Sequence, residues 1–308
     1  MKLPLEATIV EVGPRDGLQN EKKMLSAEQK VHLVERLSGA GLKRIEVVSF
    51  VHPKAVPQMA NAEKVMKGIK RRPGTQYLAL VPNTVGAERA LASGAGGLGF
   101  FVSASETHNM HNVRMSRQAS MAELARVSRL ATEARVPLRS YIVTAFGCPY
   151  EGKTPASTVV SMAKQMFDEG AAEVCLGDTT GMGNPAQVET VFYELTRQLP
   201  ANRLAAHFHN TRGAALANVY AALRAGITTF DGAVGGTGGC PFAPGASGNV
   251  ATEDLVNMLE DMGVHTGVDL DELITCALEI EDILERPLSN SVARAGPSWR
   301  LHDPPGRL

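Results

Sequence analysis

Short β-rich segments alternate with helix-patterned segments from one end of this chain to the other. Eight strands are predicted, over residues 8–12, 44–48, 76–81, 97–102, 138–144, 173–176, 203–208 and 228–233. Eight helices are predicted near residues 26–40, 61–71, 84–93, 120–134, 155–169, 185–198, 212–225 and 252–262. Alternation of this kind indicates a parallel sheet, and eight strand–helix units fit a closed barrel of about 250 residues.

The competing architecture is an open doubly wound sheet, which usually has fewer strands and a Gly-x-Gly-x-x-Gly fingerprint after the first. Here the first strand is followed by Gly13-Pro14-Arg15-Asp16-Gly17, which does not fit that fingerprint. We therefore predict an α/β fold of the (β/α)8 (TIM) barrel class, with residues 1–308 forming one domain. The apolar helical pattern over about residues 269–286 predicts an extra C-terminal helix, and residues from about 287 to 308 predict an irregular tail.

The charge balance and the cysteine spacing narrow the class of protein. The chain has 31 Lys and Arg against 32 Asp and Glu, without long runs of either sign, which predicts no nucleic-acid binding and no membrane-surface attachment. No apolar stretch approaches the roughly 20 residues that cross a bilayer, and the N-terminus lacks the apolar region of a signal peptide. The four cysteines lie far apart, which argues against structural disulfides and favours a reducing, cytoplasmic location.

The glycine-rich segment over residues 235–249 follows the last predicted strand. Six of its fifteen residues are glycine and two are proline, so it forms neither a regular helix nor a strand. A loop of this length within a compact fold is usually functional or disordered, and this one carries Cys240 and Phe242 and almost no charge. We predict an active-site lid that presents the Cys240 thiol. The alternative is a surface connection with a half-buried cysteine.

Two histidines lie near the end of predicted strand seven, at the rim where the C-terminal ends of barrel strands meet. Side chains alternate along a strand, so His207 and His209 point to the same side. With Asp16 after strand one and Asn249 in the glycine-rich segment, they offer a ligand set for a divalent ion. The mixed nitrogen and oxygen donors favour Mg or Mn. The alternative is that one of the histidines is only structural.

Three charged residues on the same rim are candidates for catalysis. Arg15 is suited to stabilise a developing oxyanion, although a surface ion pair with its neighbour Asp16 would give the same pattern. Glu46 is flanked by apolar residues and is expected to hold Arg15 or to titrate with an altered pKa. Asp178 is either an acceptor that orients a histidine or the N-cap of a helical turn.

The stretch Glu-Val-Gly-Pro-Arg-Asp-Gly-Leu-Gln-Asn-Glu, residues 11–21, resembles the signature of 3-hydroxy-3-methylglutaryl-CoA lyases. These belong to a superfamily of divalent-metal barrels that cleave or form carbon–carbon bonds. The resemblance continues through residues 49–51, 147–152, 176–179 and 207–209 and the glycine-rich segment, and covers roughly residues 6–285. It implies that the metal ligands are Asp16, His207, His209 and Asn249. It implies catalytic roles for Arg15, Glu46, Asp178 and Cys240, and substrate contacts from Arg15, Gln19, Ser105 and Thr179.

The reaction that this resemblance implies is cleavage of 3-hydroxy-3-methylglutaryl-CoA, or a close 3-alkyl relative, to acetyl-CoA and acetoacetate or the matching 3-oxo acid. Such a reaction belongs to leucine degradation and ketone-body formation. With the substrate hydroxyl and carboxylate chelated by the metal, Asp178 or a rim histidine would remove the hydroxyl proton. Arg15 would stabilise the enolate, and Cys240 would protonate the acetyl-CoA carbanion. The partner is thus an acyl-CoA substrate, and the apolar last helix is compatible with a homodimer.

Two alternatives to a lyase remain open. One is a synthase that condenses acetyl-CoA with a 2-oxo acid, because Asn210 and Arg212 replace the aspartate and tyrosine of typical lyases and asparagine is common in the condensing relatives. Residues 107–114 also depart from the lyase pattern, which puts the acyl group of the substrate in question. The other alternative is a barrel without activity that acts as a binding protein.

Overall fold

The structure, a computed structural model, describes residues 3–239 and 248–301. Its eight parallel strands close into a barrel in which each strand pairs with the next along the chain and the eighth pairs with the first. The strands are β1 (Thr8–Glu11), β2 (Arg44–Ser49), β3 (Gln76–Leu80), β4 (Gly97–Ser103), β5 (Leu138–Val143), β6 (Glu173–Asp178), β7 (Leu204–Phe208) and β8 (Thr229–Gly232). The predicted (β/α)8 barrel is confirmed, and each predicted strand is present with small shifts at its ends.

Helices cover the outside of the barrel. They are α1 (Ala27–Gly39), α2 (Ala62–Gly68), α3 (Thr84–Ala92), α4 (Glu106–Val113), α5 (Arg117–Glu133), α6 (Ala156–Asp168), α7 (Pro185–Thr196), α8 (Ala215–Arg224), α9 (Thr252–Asp261), α10 (Leu270–Leu284) and α11 (Val292–Ala295). The eight predicted helices and the extra helix near 269–286 are all present. Helix α4 was not predicted, because its sequence is polar and lacks an apolar period. No helix within the described ranges is both long and apolar enough to span a membrane.

Helix α1 shows how local sequence sets these elements. The Ser26 hydroxyl accepts a hydrogen bond from the Gln29 N–H (3.2 Å), and the Gln29 side chain accepts one from the Ser26 N–H (2.9 Å). This reciprocal cap satisfies two N–H groups that the helix itself leaves unpaired. Val34 and Leu37 then lie on the face that packs against the barrel and are fully buried. Ser26 is therefore the N-cap of α1, and the helix begins where the sequence predicts.

The core has an outer and an inner part. Alternate strand residues point outward and form one large apolar cluster with the helices, whereas the inward-facing residues form two small apolar clusters. One cluster contains Val10, Val12, Leu78 and Ala233, and the other contains Leu80, Tyr141, Cys175 and Ala205. The rest of the described barrel interior is filled by buried charged and polar side chains, and these lead to the site.

The region after α10 departs from the predicted irregular tail. Leu288 and Asn290 are buried, and the Asn290 side-chain amide donates a hydrogen bond to Glu253 (2.8 Å). Leu288 covers Gly235, where a Cβ would collide with it. Within the described part of the chain, Leu288 and Ser289 therefore lie against the start of the glycine-rich segment, and α11 packs against α9 and α10. Residues 302–308 lie outside the described residues.

Candidate active site

The turn after β1 carries the first two site residues. It is a single π-helical turn, Gly13–Gly17, in which the N–H groups of Arg15, Asp16 and Gly17 donate to the Val12 carbonyl (3.1, 2.7 and 3.3 Å). All five residues of the turn are buried. A Cβ at Gly17 would collide with the Thr237 hydroxyl, so glycine permits the turn to contact the glycine-rich segment. This close packing fixes Arg15 and Asp16 at the barrel mouth.

Four residues, Asp16, His207, His209 and Asn249, form what we call the rim cluster. The candidate ligand atoms of Asp16 and the two histidines all lie within 4.8 Å of one another. The histidine Nε2 atoms are 3.1 Å apart, and Asp16 Oδ2 lies 3.8 Å from the His209 Nε2 and 4.0 Å from the His207 Nε2. Asn249 donates to Asp16 Oδ2 (2.9 Å), and its own Oδ1 is buried with no hydrogen-bond partner among the described residues. Converging nitrogen and oxygen atoms with an unsatisfied amide oxygen fit a divalent cation.

Backbone pairing delivers Asn249 to this cluster. Residues on both sides of it bond to the end of β7, with the Asn210 N–H donating to the Gly248 carbonyl (2.9 Å) and the Val250 N–H donating to the Phe208 carbonyl (3.0 Å). Asn249 thus forms an antiparallel bridge with His209. The end of the glycine-rich segment is therefore fixed against the histidine strand.

Ionisation of the rim cluster follows from burial and from neighbouring charges. Burial raises the pKa of the Asp16 carboxyl, but Arg15, His207 and His209 outweigh it, so the pKa is lowered and the group is an anion. Burial and the neighbouring His207 lower the pKa of His209 to about 4. His209 is therefore a neutral imidazole near pH 7, which is the form that binds metals.

Arg15 is held between two carboxylates. Its Nε and Nη2 donate to the two oxygens of Glu46 (3.0 and 2.9 Å), and its Nη1 donates to Asp16 Oδ1 (2.5 Å). Burial lowers the pKa of Arg15, but Glu46 and Asp16 raise it by more, so the guanidinium stays charged. Tyr141 completes the arrangement by donating its hydroxyl to Glu46 Oε2 (2.7 Å). The structure places Glu46 against Arg15, as the sequence predicts.

A second set of charges, which we call the floor network, lies toward the N-terminal ends of the strands and consists of Arg44, Arg139, Glu173 and Asp231. Arg139 binds Asp231 through two hydrogen bonds (3.0 and 2.7 Å) and also contacts Glu173, which pairs with Arg44 (2.8 and 3.0 Å). Asp231 also lies 3.1 Å from the Nδ1 of His207. Sequence reasoning missed Arg139, Tyr141 and Asp231. The available signal was a charged residue or a tyrosine within a predicted strand, as for Arg139 and Tyr141 on β5.

Asp178, at the end of β6, caps the turn that follows. Its Oδ1 accepts hydrogen bonds from the N–H groups of Met182 (2.9 Å) and Gly183 (3.0 Å), which agrees with the helical-turn alternative. Burial raises the pKa of Asp178 to about 6 against the effect of these bonds. Asp178 is not among the described residues that line the cavity. The predicted role of Asp178 as a base stays a prediction.

The cavity at the mouth has a volume of about 790 Å³. Arg15, Asp16, Gln19, Thr179, His207 and His209 line it. Gln19 also contacts Asp16 Oδ1 (3.4 Å), and the Thr179 hydroxyl accepts a hydrogen bond from the Thr144 N–H (3.0 Å). The lining also includes the apolar residues Leu80, Phe101, Val113 and Met115. The cavity therefore combines predicted polar residues with apolar residues that the sequence analysis did not identify.

Ser105 lies elsewhere. It is buried, it caps α4 by accepting a hydrogen bond from the His108 N–H (3.0 Å), and Cys148 Sγ lies 3.0 Å from its hydroxyl. It is not among the described residues that line the cavity, whereas His108 is. The predicted substrate contact of Ser105 therefore has no support from its position. His108 falls within residues 107–114, the stretch that departs from the lyase pattern.

Asn210 and Arg212, the two residues that depart from the lyase pattern, form hydrogen bonds with backbone groups of neighbouring segments. The Asn210 side chain accepts a hydrogen bond from the Ala215 N–H (3.3 Å), and Arg212 donates to the carbonyls of Thr180 and Gly181 (2.9 Å each). Neither is among the described residues that line the cavity. Cys240, predicted as the catalytic thiol, lies outside the described residues.

Comparison with known proteins agrees with this geometry. The model of the family described as HMGL-like matches residues 6–280. The chain belongs to the HMGL-like family. Among curated relatives of this HMGL-like chain, the hydroxymethylglutaryl-CoA lyase YngG of Bacillus subtilis is 50% identical, over 94% of this chain and 96% of the relative. A 3-hydroxy-3-isohexenylglutaryl-CoA/hydroxymethylglutaryl-CoA lyase of Pseudomonas aeruginosa is 44% identical, over 96% of this chain and 98% of the relative.

A solved structure of an HMG-CoA lyase from Acinetobacter baumannii, in complex with coenzyme A and 3-methylmalate, superposes with a TM-score of 0.94. It is 41% identical and covers 99% of this chain and 100% of that chain. The predicted family and the predicted enzyme class are confirmed: this HMGL-like protein is an enzyme of the hydroxymethylglutaryl-CoA lyase type. The non-catalytic and condensing alternatives receive no support.

Proposed function

We propose that this enzyme cleaves 3-hydroxy-3-methylglutaryl-CoA, or a close 3-hydroxy-3-alkylglutaryl-CoA, to acetyl-CoA and acetoacetate or the matching 3-oxo acid. The observation that carries the proposal is the rim cluster, whose Asp16, His207 and His209 line the cavity and whose Asp16 is bonded to Arg15. Lyase relatives give the acyl-CoA substrate class, and the rim cluster supplies a place for its reacting hydroxyl and carboxylate.

The rim cluster would hold the divalent ion through Asp16, His207, His209 and the Asn249 oxygen. Such an ion polarises a bound hydroxyl and lowers its pKa. We propose Mg or Mn, because carboxylate and amide oxygens contribute half of the donor set. The unsatisfied Asn249 Oδ1 supports its assignment as a ligand.

Arg15 would stabilise the negative charge that develops on the thioester oxygen as the carbon–carbon bond breaks. Three of its N–H groups bind Glu46 and Asp16, and two of the five guanidinium hydrogens have no hydrogen-bond partner among the described residues and could bind substrate. Because Glu46 fixes the guanidinium before substrate arrives, little reorganisation is needed during reaction. The hydrogen bond from the Tyr141 hydroxyl helps to hold Glu46 in place.

Two proton transfers complete the reaction. Of the predicted bases for the tertiary hydroxyl, His207 and His209 line the cavity but would use their Nε2 atoms to hold the ion, and Asp178 does not line the cavity, so the choice between Asp178 and a rim histidine stays a prediction. We assign the positioning of the Thr179 turn to Asp178. We assign protonation of the acetyl-CoA carbanion to Cys240, since a thiol with a pKa of about 8.5 can donate a proton at neutral pH. A cytoplasmic location and a homodimer stay predictions.

Release of acetoacetate and acetyl-CoA, measured with Mg or Mn and with chelator, tests the proposal. We expect metal-dependent cleavage that falls at least about 100-fold in His207→Ala and in Cys240→Ala. His265→Ala is the matched control, because His265 is an exposed histidine outside the cavity. Cleavage that resists chelator would contradict the metal, and an active Cys240→Ala would contradict the thiol. Bound metal without turnover would reject the substrate and retain the site.

A further inference from the structure

The two rim histidines differ at the nitrogen that points away from the cavity. The Nδ1 of His207 lies 3.1 Å from Oδ2 of Asp231, and both side chains are buried. The Nδ1 of His209 is also buried but has no hydrogen-bond partner among the described residues. Among the described residues, only the imidazole of His207 therefore has a partner for its Nδ1 atom.

The partner of His207 is itself immobilised. Asp231 lies directly opposite His207 in the pairing of β7 and β8. Its two oxygens bind Arg139 through two hydrogen bonds (2.7 and 3.0 Å), and Arg139 is held in turn by Glu173 and by the Tyr141 hydroxyl (2.6 Å). A carboxylate paired in this way with a buried guanidinium is ionised and can only accept hydrogen bonds.

We propose that Asp231 is a positioning residue for the metal site: it fixes His207 as the tautomer that carries its proton on Nδ1 and turns the bare Nε2 toward the rim cluster. Arg139 acts through Asp231 by holding the carboxylate in place. This inference rests on the proposed function only in taking the rim cluster as the metal site. A carboxylate behind a ligating imidazole generally sets its tautomer and orientation.

The same geometry assigns the opposite tautomer to His209 in the metal-free protein. The two Nε2 atoms are 3.1 Å apart, and the Nε2 of His207 carries no proton in the proposed tautomer. The Nε2–H of His209 must then donate the hydrogen bond between them, which leaves its Nδ1 bare. No acceptor among the described residues lies within hydrogen-bond distance of the His209 Nδ1 to hold a proton there.

A purely structural role for Asp231 would have different consequences. If it served only to neutralise Arg139, removing its charge would destabilise the barrel and leave the tautomer of His207 and the metal affinity unchanged. Glu173 provides the matched control, because it contacts the same Arg139 from the other side and does not touch His207.

The test compares Asp231→Asn with Glu173→Gln in the full chain. The dissociation constant for Mn²⁺ is measured by electron paramagnetic resonance without substrate. We expect Asp231→Asn to weaken Mn²⁺ binding by about 10- to 100-fold and Glu173→Gln by less than about threefold. Equal effects of the two substitutions, or an unchanged affinity in a folded Asp231→Asn protein, would overturn the proposal.

A second measurement on the unmodified protein decides the question even if Asp231→Asn fails to fold. Nitrogen-15 NMR of histidine-labelled, metal-free protein reports the tautomer of each ring, with His207 and His209 assigned from single substitutions. We expect the Nδ1–H form for His207 and the Nε2–H form for His209, and an Nε2–H form for His207 would refute the assignment. Both readouts are independent of turnover. An enzyme that binds Mn²⁺ through His207 but fails to cleave the CoA ester would reject the reaction and leave the positioning role intact.

Discussion

The floor network and the rim cluster are both buried sets of charged and polar groups inside one barrel, but they differ in how completely they are paired. In the floor network, every carboxylate oxygen is paired, because Arg139 binds two carboxylates and Glu173 binds two guanidinium groups, and the Nε of Arg44 is the one buried polar atom of the network without a partner among the described residues. In the rim cluster, the Asn249 Oδ1 and the His209 Nδ1 have no partner among the described residues.

From this difference we infer that the floor network stabilises the barrel, whereas the rim cluster binds a ligand. A buried charge whose partners are all within the protein has no capacity left for a ligand, and its loss is felt as instability. A buried group with an unmet hydrogen-bonding requirement is costly for the protein alone and is relieved when a ligand binds. Asp231 lies between the two sets, since it completes the floor network and reaches His207 of the rim cluster.

The largest expected effect is the loss of stability on breaking the floor network. Arg139→Met should leave Asp231 and Glu173 as buried anions without their shared partner and lower the free energy of unfolding by about 3–5 kcal/mol. Denaturant unfolding followed by both circular dichroism and tryptophan fluorescence measures it, provided that the two transitions coincide. Arg44→Met is the control and should cost less, because Arg44 is partly exposed and contacts only Glu173 of this network. Equal losses in both variants would mean that Arg139 is not the centre of the network.

Asp178 lies near the rim cluster, and its carboxylate is hydrogen-bonded to backbone N–H groups. It tests whether a residue paired in this way affects stability rather than ligand binding. Its pKa is raised from 3.8 to about 6, so the folded state holds its proton more tightly than the unfolded state does. The stability that this proton confers is complete below about pH 4 and is lost as the pH rises through about 6, a loss of about 3 kcal/mol.

Asp178→Asn should remove this dependence and keep the Met182 and Gly183 hydrogen bonds through its amide oxygen. Its stability relative to the unsubstituted protein should therefore rise between pH 4 and pH 7 in unfolding experiments with chelator present. The exposed Asp282→Asn serves as the control. A constant difference over that range would show that the carboxyl ionises normally.

Much of this could be predicted from sequence, and the failures have physical reasons. Strand and helix periods gave the eight units of the barrel, and the alternation rule placed His207 and His209 on one side of β7. Charged residues within strands, such as Arg139 and Asp231, were passed over because alternation alone does not distinguish an inward from an outward position until the barrel is closed. Helix α4 was missed because its start depends on the Ser105 cap rather than on an apolar period.

Contacts between residues distant in sequence could not be predicted from local patterns. The Ser105 hydroxyl caps α4 and lies against Cys148, and its predicted substrate contact stays a prediction. The burial of Leu288 and Asn290 depends on Gly235 and Glu253, which no local pattern near residue 288 reveals. Sequence therefore identifies the types of group at the site, whereas their bonding depends on contacts between strands that only the closed barrel defines.

The smallest expected effect is the stabilisation that a ligand confers on the rim cluster. A ligand that binds only the folded state at 100 times its dissociation constant adds about 2.7 kcal/mol to the free energy of unfolding, so Mn²⁺ should raise the midpoint of thermal unfolding and chelator should reverse the rise. Asp16→Asn should abolish the shift, because it removes the charged oxygen next to both histidines. Glu173→Gln should start from a lower midpoint and retain the full shift, since it weakens the floor network and leaves the rim cluster intact. If Glu173→Gln lost the Mn²⁺ shift as Asp16→Asn does, the two sets of buried charges would be one cooperative unit. The inference that the floor network stabilises the barrel while the rim cluster binds the ligand would then be wrong.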